Sequence, residues 1–363
     1  MLSEKIPNEM ASECALPREV TAPPANRFPK YPAAWYLFCH TRELRRGPLT
    51  KRMLGRELVA FRAKSGLVAV LEARCAHLAA DLGQGRVIGE AIQCPFHHWE
   101  YGADGRCTRI PECNEIPHFA RLRSYPVEER HGNVFFFNGR EPLFPLPFFD
   151  AERAEDYVAT QSIQYVFGAS WYMVSGQAFD TQHFRAVHER KLVGQPTIDC
   201  PSSFARRIRY QADIVGRTPR DRLLRLLAGR TVNSSITVWG GLVICVAPDF
   251  PRLRSRFLIF GHPLENGQTD YEILVFVRRR RNPVWTWLRP LELSVRRWFT
   301  FGFLVHEARK LRGIQYRPGC LIENDRWMAD FFRWAVELPQ QPQDTENHEN
   351  DRENDRNSPG VAS

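Results

Sequence analysis

The sequence predicts an α+β protein, with a small all-β domain followed by a larger one that combines strands with late helices. Three observations carry this. Between residues 35 and 139 the chain is a series of short strand-like runs separated by turn residues. Longer runs of strand character, broken by Gly and Asn, fill 208–277. Helical spacing of apolar residues sets in only near the end, over 291–311 and 322–338.

Each element follows from local chemistry. Residues 1–30 are rich in Pro, Ala and charge, and are expected to form a disordered N-terminal segment. In the first domain, 31–145, strands 58–62 and 67–71 flank Lys64-Ser65-Gly66, a hairpin with Gly at its turn. Residues 134–137, between Gly132 and Gly139, make another strand. The Pro-rich stretch 142–147 reads as a linker to the second domain, 146–339. There, Thr218-Pro219 supplies the N-cap and first-turn Pro of a short helix ending near Gly229. A strand over 235–246 breaks at Gly240-Gly241, and strands 257–260 and 271–277 flank the turn Glu265-Asn266-Gly267. Trp327, Phe331 and Trp334 lie at helical spacing, and Pro339 ends that helix. Residues 340–363 are polar and acidic and are expected to be a disordered tail.

The chain has 363 residues and a formal net charge of +9. Residues 344–356 alone hold six acids against two Arg, so the remainder is more basic than the whole. No nucleic-acid-binding motif accompanies that charge, and no nucleic-acid partner is expected. Nine Cys are scattered along the chain, and no apolar leader precedes them. A disulfide framework is therefore not expected, and a cytoplasmic location fits. No run of about 18 apolar residues predicts a membrane span. Residues 284–305 are aromatic and basic: a buried amphipathic helix is the favoured reading, and peripheral membrane association the sharper one.

Two constellations carry chemistry. The first is Cys75-Ala76-His77, followed by Cys94-Pro95-Phe96-His97. A Rieske [2Fe–2S] cluster needs two thiolates on one iron and two imidazoles on the other. Each loop here offers one of each. Tetrahedral zinc takes the same donors, although its usual spacings pair Cys with Cys and His with His.

The second constellation is Asp180-Thr181-Gln182-His183 with His188 five residues on. Two His and a carboxylate are the donor set of an O₂-activating Fe(II), leaving positions open for O₂ and substrate. Five residues on an ideal helix separate two side chains by about 140°. Convergence on one metal needs a widened turn or a local break.

Cys75-Ala76-His77-Leu78 and Gln93-Cys94-Pro95-Phe96-His97-His98-Trp99, with Gly105-Arg106-Cys107 after them, resemble the Rieske domain of ring-hydroxylating oxygenases. The Pro-Phe-His-His-Trp form, with His98 where many members have Gly, is similar to aminopyrrolnitrin oxygenases, ketosteroid hydroxylases and Neverland-type sterol desaturases. The resemblance implies that Cys75, His77, Cys94 and His97 hold the [2Fe–2S] cluster, while Cys107 and Cys113 are plain thiols. It implies a mononuclear Fe(II) on His183 and His188. Asp180 would be the electron bridge between a ligand His of its own chain and His97 or His77 of a neighbouring subunit. Gln177 stands where the family often has Asn. The third iron ligand is expected at Asp325, in Ile322-Glu323-Asn324-Asp325, with Asp330 and Glu323 as fallbacks; a bland reading of Asp325 is favourable charge at a helix N-terminus.

The family fold implied for the second domain is a helix-grip, an antiparallel sheet curling around long helices. The implied activity is oxidation of a bulky hydrophobic substrate with O₂ and electrons from a ferredoxin or an NAD(P)H-dependent reductase, in a homotrimer. An aromatic natural product, such as an aryl amine, is the leading substrate class and a steroid or sterol the second. An electron-transfer Rieske protein or a zinc-stabilised binding module are readings of other classes. Phe179, Trp239, Ile244 and Phe301 are candidates to line a pocket. The basic run 278–281 is a candidate dock for an acidic donor.

Overall fold

A computed structural model describes residues 12–13, 20–160, 162–279 and 283–340. The first domain runs β1 (Trp35–His40), β2 (Leu49–Met53), β3 (Arg56–Arg62), β4 (Val68–Glu72), β5 (Arg86–Ile88), β6 (Ala91–Gln93), β7 (Glu100–Tyr101), β8 (Cys107–Arg109), β9 (Ser124–Tyr125), β10 (Val127–Arg130) and β11 (Asn133–Phe137). These strands make three antiparallel sheets, in the orders β9-β4-β3-β2, β10-β11-β1 and β5-β6-β7-β8. The expected hairpin is β3–β4, pairing Arg62 with Val68. Gly66 sits at φ +96°, a conformation that Gly adopts without steric cost.

The second domain continues with β12 (Tyr157–Ala159), β13 (Ile163–Phe167), α1 (Trp171–Gly176), α2 (Thr181–Ala186), β14 (Arg190–Ser202), β15 (Ala205–Ile214), α3 (Pro219–Ala228), β16 (Thr231–Trp239), β17 (Val243–Asp249), β18 (Arg256–Pro263), β19 (Thr269–Arg278), α4 (Pro283–Leu311) and α5 (Arg326–Val336). One nine-stranded antiparallel sheet has the order Ser12–Glu13, β14, β15, β16, β17, β18, β19, β12, with β13 also on β19. Helix α4 lies against β19 and β13, and α1 packs on α5. Thr218 caps α3 as expected, accepting from the Asp221 N–H at 3.1 Å.

Packing divides the molecule differently from the chain. The loops after β4 and β6 have their own core of Val59, Phe61, Leu71, Ile92, Trp99 and Tyr101. Strands β1 and β11 instead share a core with the second domain, where Phe135 meets Phe260 at 5.0 Å between ring centres. The stretch 142–147 is held rather than free: Phe144 and Leu146 are buried, and Trp35 Nε1 donates to the Phe144 carbonyl at 2.8 Å.

Three expectations change, and one strand forms where none is predicted. Residues 20–30 are placed on the second domain, with Phe28 stacked on Tyr172 at 3.8 Å and the Pro29 carbonyl accepting from Trp171 Nε1. Helix α4 begins at Pro283 and runs through Pro290, which gives up one backbone bond without ending it. Strand β14 spans Arg190–Ser202 although Gly194 and Pro196 interrupt its pattern, because its register shifts between Val193 and Thr197 absorb them. Cys200 is disulfide-bonded, so the expectation of reduced thiols fails there. The acidic tail, 341–363, and residues 1–11 and 14–19 of the first segment lie outside the described residues.

Candidate metal centres

The first centre is formed by the loop after β4 and the loop between β6 and β7. Cys75 and Cys94 are buried, whereas His77 and His97 are exposed. Tyr101, from β7, brings its hydroxyl to 3.1 Å from Cys75 Sγ and accepts from the Ala76 N–H. Burial pushes the Cys94 thiol up, and the backbone N–H groups of Phe96 and His97 pull it partly back. On the outer side the His77 and His97 rings lie 4.7 Å apart, and His77 stacks on Trp99 at 4.7 Å and 3°. Both loops leave through left-handed backbone, at Ala79 (φ +56°) and His98 (φ +59°). His tolerates that region better than most residues.

The arrangement discriminates between the two cofactors considered. Zinc with bonds of about 2.0–2.3 Å would gather all its donors within about 4.6 Å of one another. Among the described residues, the only such gathering within 4.8 Å is His183, His188 and Glu307. The four loop donors instead separate into a thiol side and an imidazole side, which fits a two-iron cluster.

The second centre is built at the end of α2. Asp180 caps this helix, its Oδ1 accepting from the N–H groups of Gln182 (2.9 Å) and His183 (3.2 Å). The helix stops at Ala186, and the His188 N–H turns back to the His183 carbonyl at 3.4 Å, a bond spanning five residues. Glu189 follows at φ +52°. This widened turn sets His183 Nε2 2.9 Å from His188 Nε2. Helix α4 passes alongside and offers Glu307, with oxygens 2.9 Å from His183 Nε2 and 3.3 Å from His188 Nε2. His306 fixes that approach by bonding the Val187 carbonyl at 3.2 Å.

Three donor atoms therefore converge on one point. Two nitrogens about 2.1 Å from a metal and at right angles to each other would be about 3.0 Å apart, close to the observed separation. Glu307 Oε2 is buried without a hydrogen bond of its own. Burial lowers the His188 pKa to about 4, with Glu307 partly opposing, so the ring is neutral and can act as a ligand. Burial raises the Glu307 carboxyl, but the bond from His183 and its neighbours His188 and His306 outweigh it and keep it below its ordinary value. Two imidazoles and one carboxylate fit a divalent iron. Phe303 stacks on His188 at 4.6 Å and 18°, giving the site an apolar wall.

Glu307 is the carboxylate that converges here, and Asp325 stands apart from the three donors. Its Oδ1 accepts from Gln182 Nε2 and its Oδ2 from the Ile322 N–H, both at 2.9 Å. It therefore braces α2 from the side. Glu323 pairs with Arg326 and Asp330 with Arg333. A signal for Glu307 was present: it falls within the buried stripe Leu304, Ala308, Leu311, where a carboxylate needs a partner. Asp180 bonds the backbone of His183 rather than its ring. Of the pocket candidates, Phe179 and Ile244 are core, Trp239 packs on Phe144, and Phe301 is exposed. Gln177 donates to the Met173 carbonyl. Of the basic run, Arg278 and Arg279 turn to Asp156 and the Tyr157 carbonyl, and the rest lies outside the described residues.

Residues 34–126 match the Rieske [2Fe-2S] domain family. Aminopyrrolnitrin oxygenase PrnD of Pseudomonas fluorescens is 33% identical over 43% of this chain and 46% of its own length. For cholesterol 7-desaturase nvd of Xenopus laevis the figures are 33%, 44% and 37%, and for the 3-ketosteroid-9-alpha-monooxygenase oxygenase component of Rhodococcus rhodochrous 30%, 44% and 44%. The alignments thus span less than half of these curated relatives. Dicamba monooxygenase bound to dicamba superposes with a TM-score of 0.60 over 84% of this chain and 96% of that one, at 18% identity. NdmA of Pseudomonas putida CBB5 with caffeine gives 0.61 over 86% and 97%, at 17% identity. Residues 34–126 therefore belong to the Rieske [2Fe-2S] domain family, and the chain has the fold of dicamba monooxygenase.

Proposed function

We propose that this chain is the terminal oxygenase component of a Rieske non-haem iron system that oxidises a bulky hydrophobic substrate, aromatic or steroid. The observation that carries the reading is the convergence of His183 Nε2, His188 Nε2 and Glu307 in a chain that also has a Rieske domain. When bound, the cluster supplies single electrons and the mononuclear iron supplies O₂ activation.

The protein's own groups do the rest. Asp180 and the widened turn hold the two imidazoles in one orientation, and His306 and Phe303 fix the approach of Glu307 and the tilt of His188. The apolar wall suits an apolar substrate. His77 and His97 present their rings at the surface within an apolar rim of Leu78, Phe96 and Phe119. Such a rim supports docking, and we assign it to a second copy of the chain, with Asp180 as the bridge across a homotrimer. A ferredoxin or an NAD(P)H-dependent reductase is the electron donor, and the cytoplasm the location.

The relatives' names support both substrate classes: one names an aminopyrrolnitrin oxygenase, two name sterol or ketosteroid enzymes. The test is turnover of an aryl-amine and sterol panel with a generic ferredoxin–reductase pair. Substrate-dependent O₂ uptake with oxidised product is expected. Rapid cluster reduction without any substrate-dependent uptake would leave an electron carrier instead.

A further inference from the structure

Helix α4 does two things along its length. Its last turns deliver Glu307, but its earlier turns carry a row of large apolar side chains into solvent. Trp287 is 82% exposed, and Leu291, Val295 and Trp298 follow on the same side. Helix α3 adds Leu223, Leu226 and Leu227, with Leu226 69% exposed. The two helices and the loop 250–255 form one surface. Arg220 lies over the Trp298 ring at 5.2 Å and rests where Gly302 leaves room. Arg252 bonds the Leu226 carbonyl and Arg296 the Arg254 carbonyl. Monomeric soluble proteins rarely expose an apolar patch of this extent without a purpose.

The charge around the patch has one sign. Arg217, Arg222, Arg230, Arg254 and Arg297 are exposed on or beside these elements. The carboxylates of α3 and of α4 before its metal-site turn are Asp221 and Glu292. Asp221 is paired with Arg190 at 2.9 Å and Glu292 with Arg296 at 2.8 Å. At the base of the loop, Asp249 is paired with Arg256. A second copy seated symmetrically here would set arginine against arginine. No described helix is long and apolar enough to cross a membrane. Aromatic and leucine side chains flanked by arginines are instead the pattern of a helix lying in a lipid interface, with the cations on anionic headgroups.

We propose that α3 and the exposed face of α4 seat the protein on an anionic lipid surface. Phe303, which stacks on His188, lies on a different face of α4 from the row Trp287, Leu291, Val295 and Trp298. The lipid contact does not rest on the oxygenase reading.

The test is co-sedimentation of the full chain with vesicles of phosphatidylcholine, alone or mixed with phosphatidylglycerol, at low and high salt. Binding to the mixed vesicles, weak binding to the neutral ones and weakening by salt are expected. Trp287→Ser with Leu291→Ser, and separately Arg222→Ser with Arg297→Ser, should each weaken binding roughly tenfold or more while the visible spectrum stays unchanged. No vesicle binding, equal binding to neutral vesicles, or variants as tight as the parent would each overturn the proposal. So would sedimentation velocity showing that the stripe variants lose self-association instead. The assay needs no turnover. A protein that binds vesicles but oxidises nothing contradicts the oxygenase reading alone; one that oxidises detergent-dispersed substrate but ignores vesicles contradicts this one alone.

Discussion

The backbone N–H of His188 bonds the carbonyl of His183 at 3.4 Å, closing a turn five residues wide where α2 ends. That bond turns a spacing unsuited to a regular helix into two imidazole nitrogens 2.9 Å apart. It depends on Glu189 holding φ +52° immediately afterwards. Glu189→Gly removes that strain and should be neutral or stabilising by up to about 1 kcal/mol, with iron content unchanged. Glu189→Val places a β-branched residue in left-handed backbone and should cost about 1–2 kcal/mol and lower iron content. Urea midpoints and metal analysis of the two variants check this.

Asp325 bonds Gln182 and the Ile322 N–H, and its removal is predicted to damage the fold rather than the metal. Asp325→Ala leaves the Gln182 amide and the Ile322 N–H without their acceptor. A loss of about 1–3 kcal/mol is expected, with the mononuclear iron retained in the folded fraction. Thermal melts paired with iron analysis separate the two effects.

How much of this was legible follows from distance along the chain. Cys75, His77, Cys94 and His97 come from two short loops, and thiolate and imidazole side chains have few other reasons to mix at that spacing. His183 and His188 were readable as a pair, and their five-residue separation already demanded the widened turn. Glu307 arrives from a helix far along the chain, where a single Glu reads as solvated surface. Only its place within the stripe Leu304, Ala308, Leu311 marks it. Asp325 is the more conspicuous acid because it opens a helix, where a carboxylate is favourable whether or not it holds a metal. Strand β14 forms where no strand is predicted: Gly194 and Pro196 interrupt its pattern, and the register shift between Val193 and Thr197 absorbs them.

Tyr101 should set the potential of the cluster. Its hydroxyl can donate to Cys75 Sγ, and a donor to a cluster sulfur favours the reduced, more negative state. Tyr101→Phe should lower the midpoint potential by roughly 40 mV, the one-electron equivalent of about 1 kcal/mol for one hydrogen bond. A redox titration at unchanged visible spectrum reads this directly.

His262 makes stability depend on pH. Burial lowers its folded pKa from 6.5 to about 3, with Lys51 adding to the effect. The unfolded ring takes a proton below about pH 6.5 while the folded ring resists it, so stability is lost as pH falls through that window. Between pH 7.5 and 5.5 this site should cost about 1–2 kcal/mol. His262→Gln should reduce the difference in urea midpoint between those two pH values, whatever its effect at either one.

The most direct measurement is iron and acid-labile sulfide per chain in the parent and in Glu307→Ala. About three iron and two sulfide are expected in the parent, falling to about two iron with sulfide and visible spectrum intact in the variant. Sulfide-free parent protein, or a variant that keeps the third iron, would contradict the two-centre account.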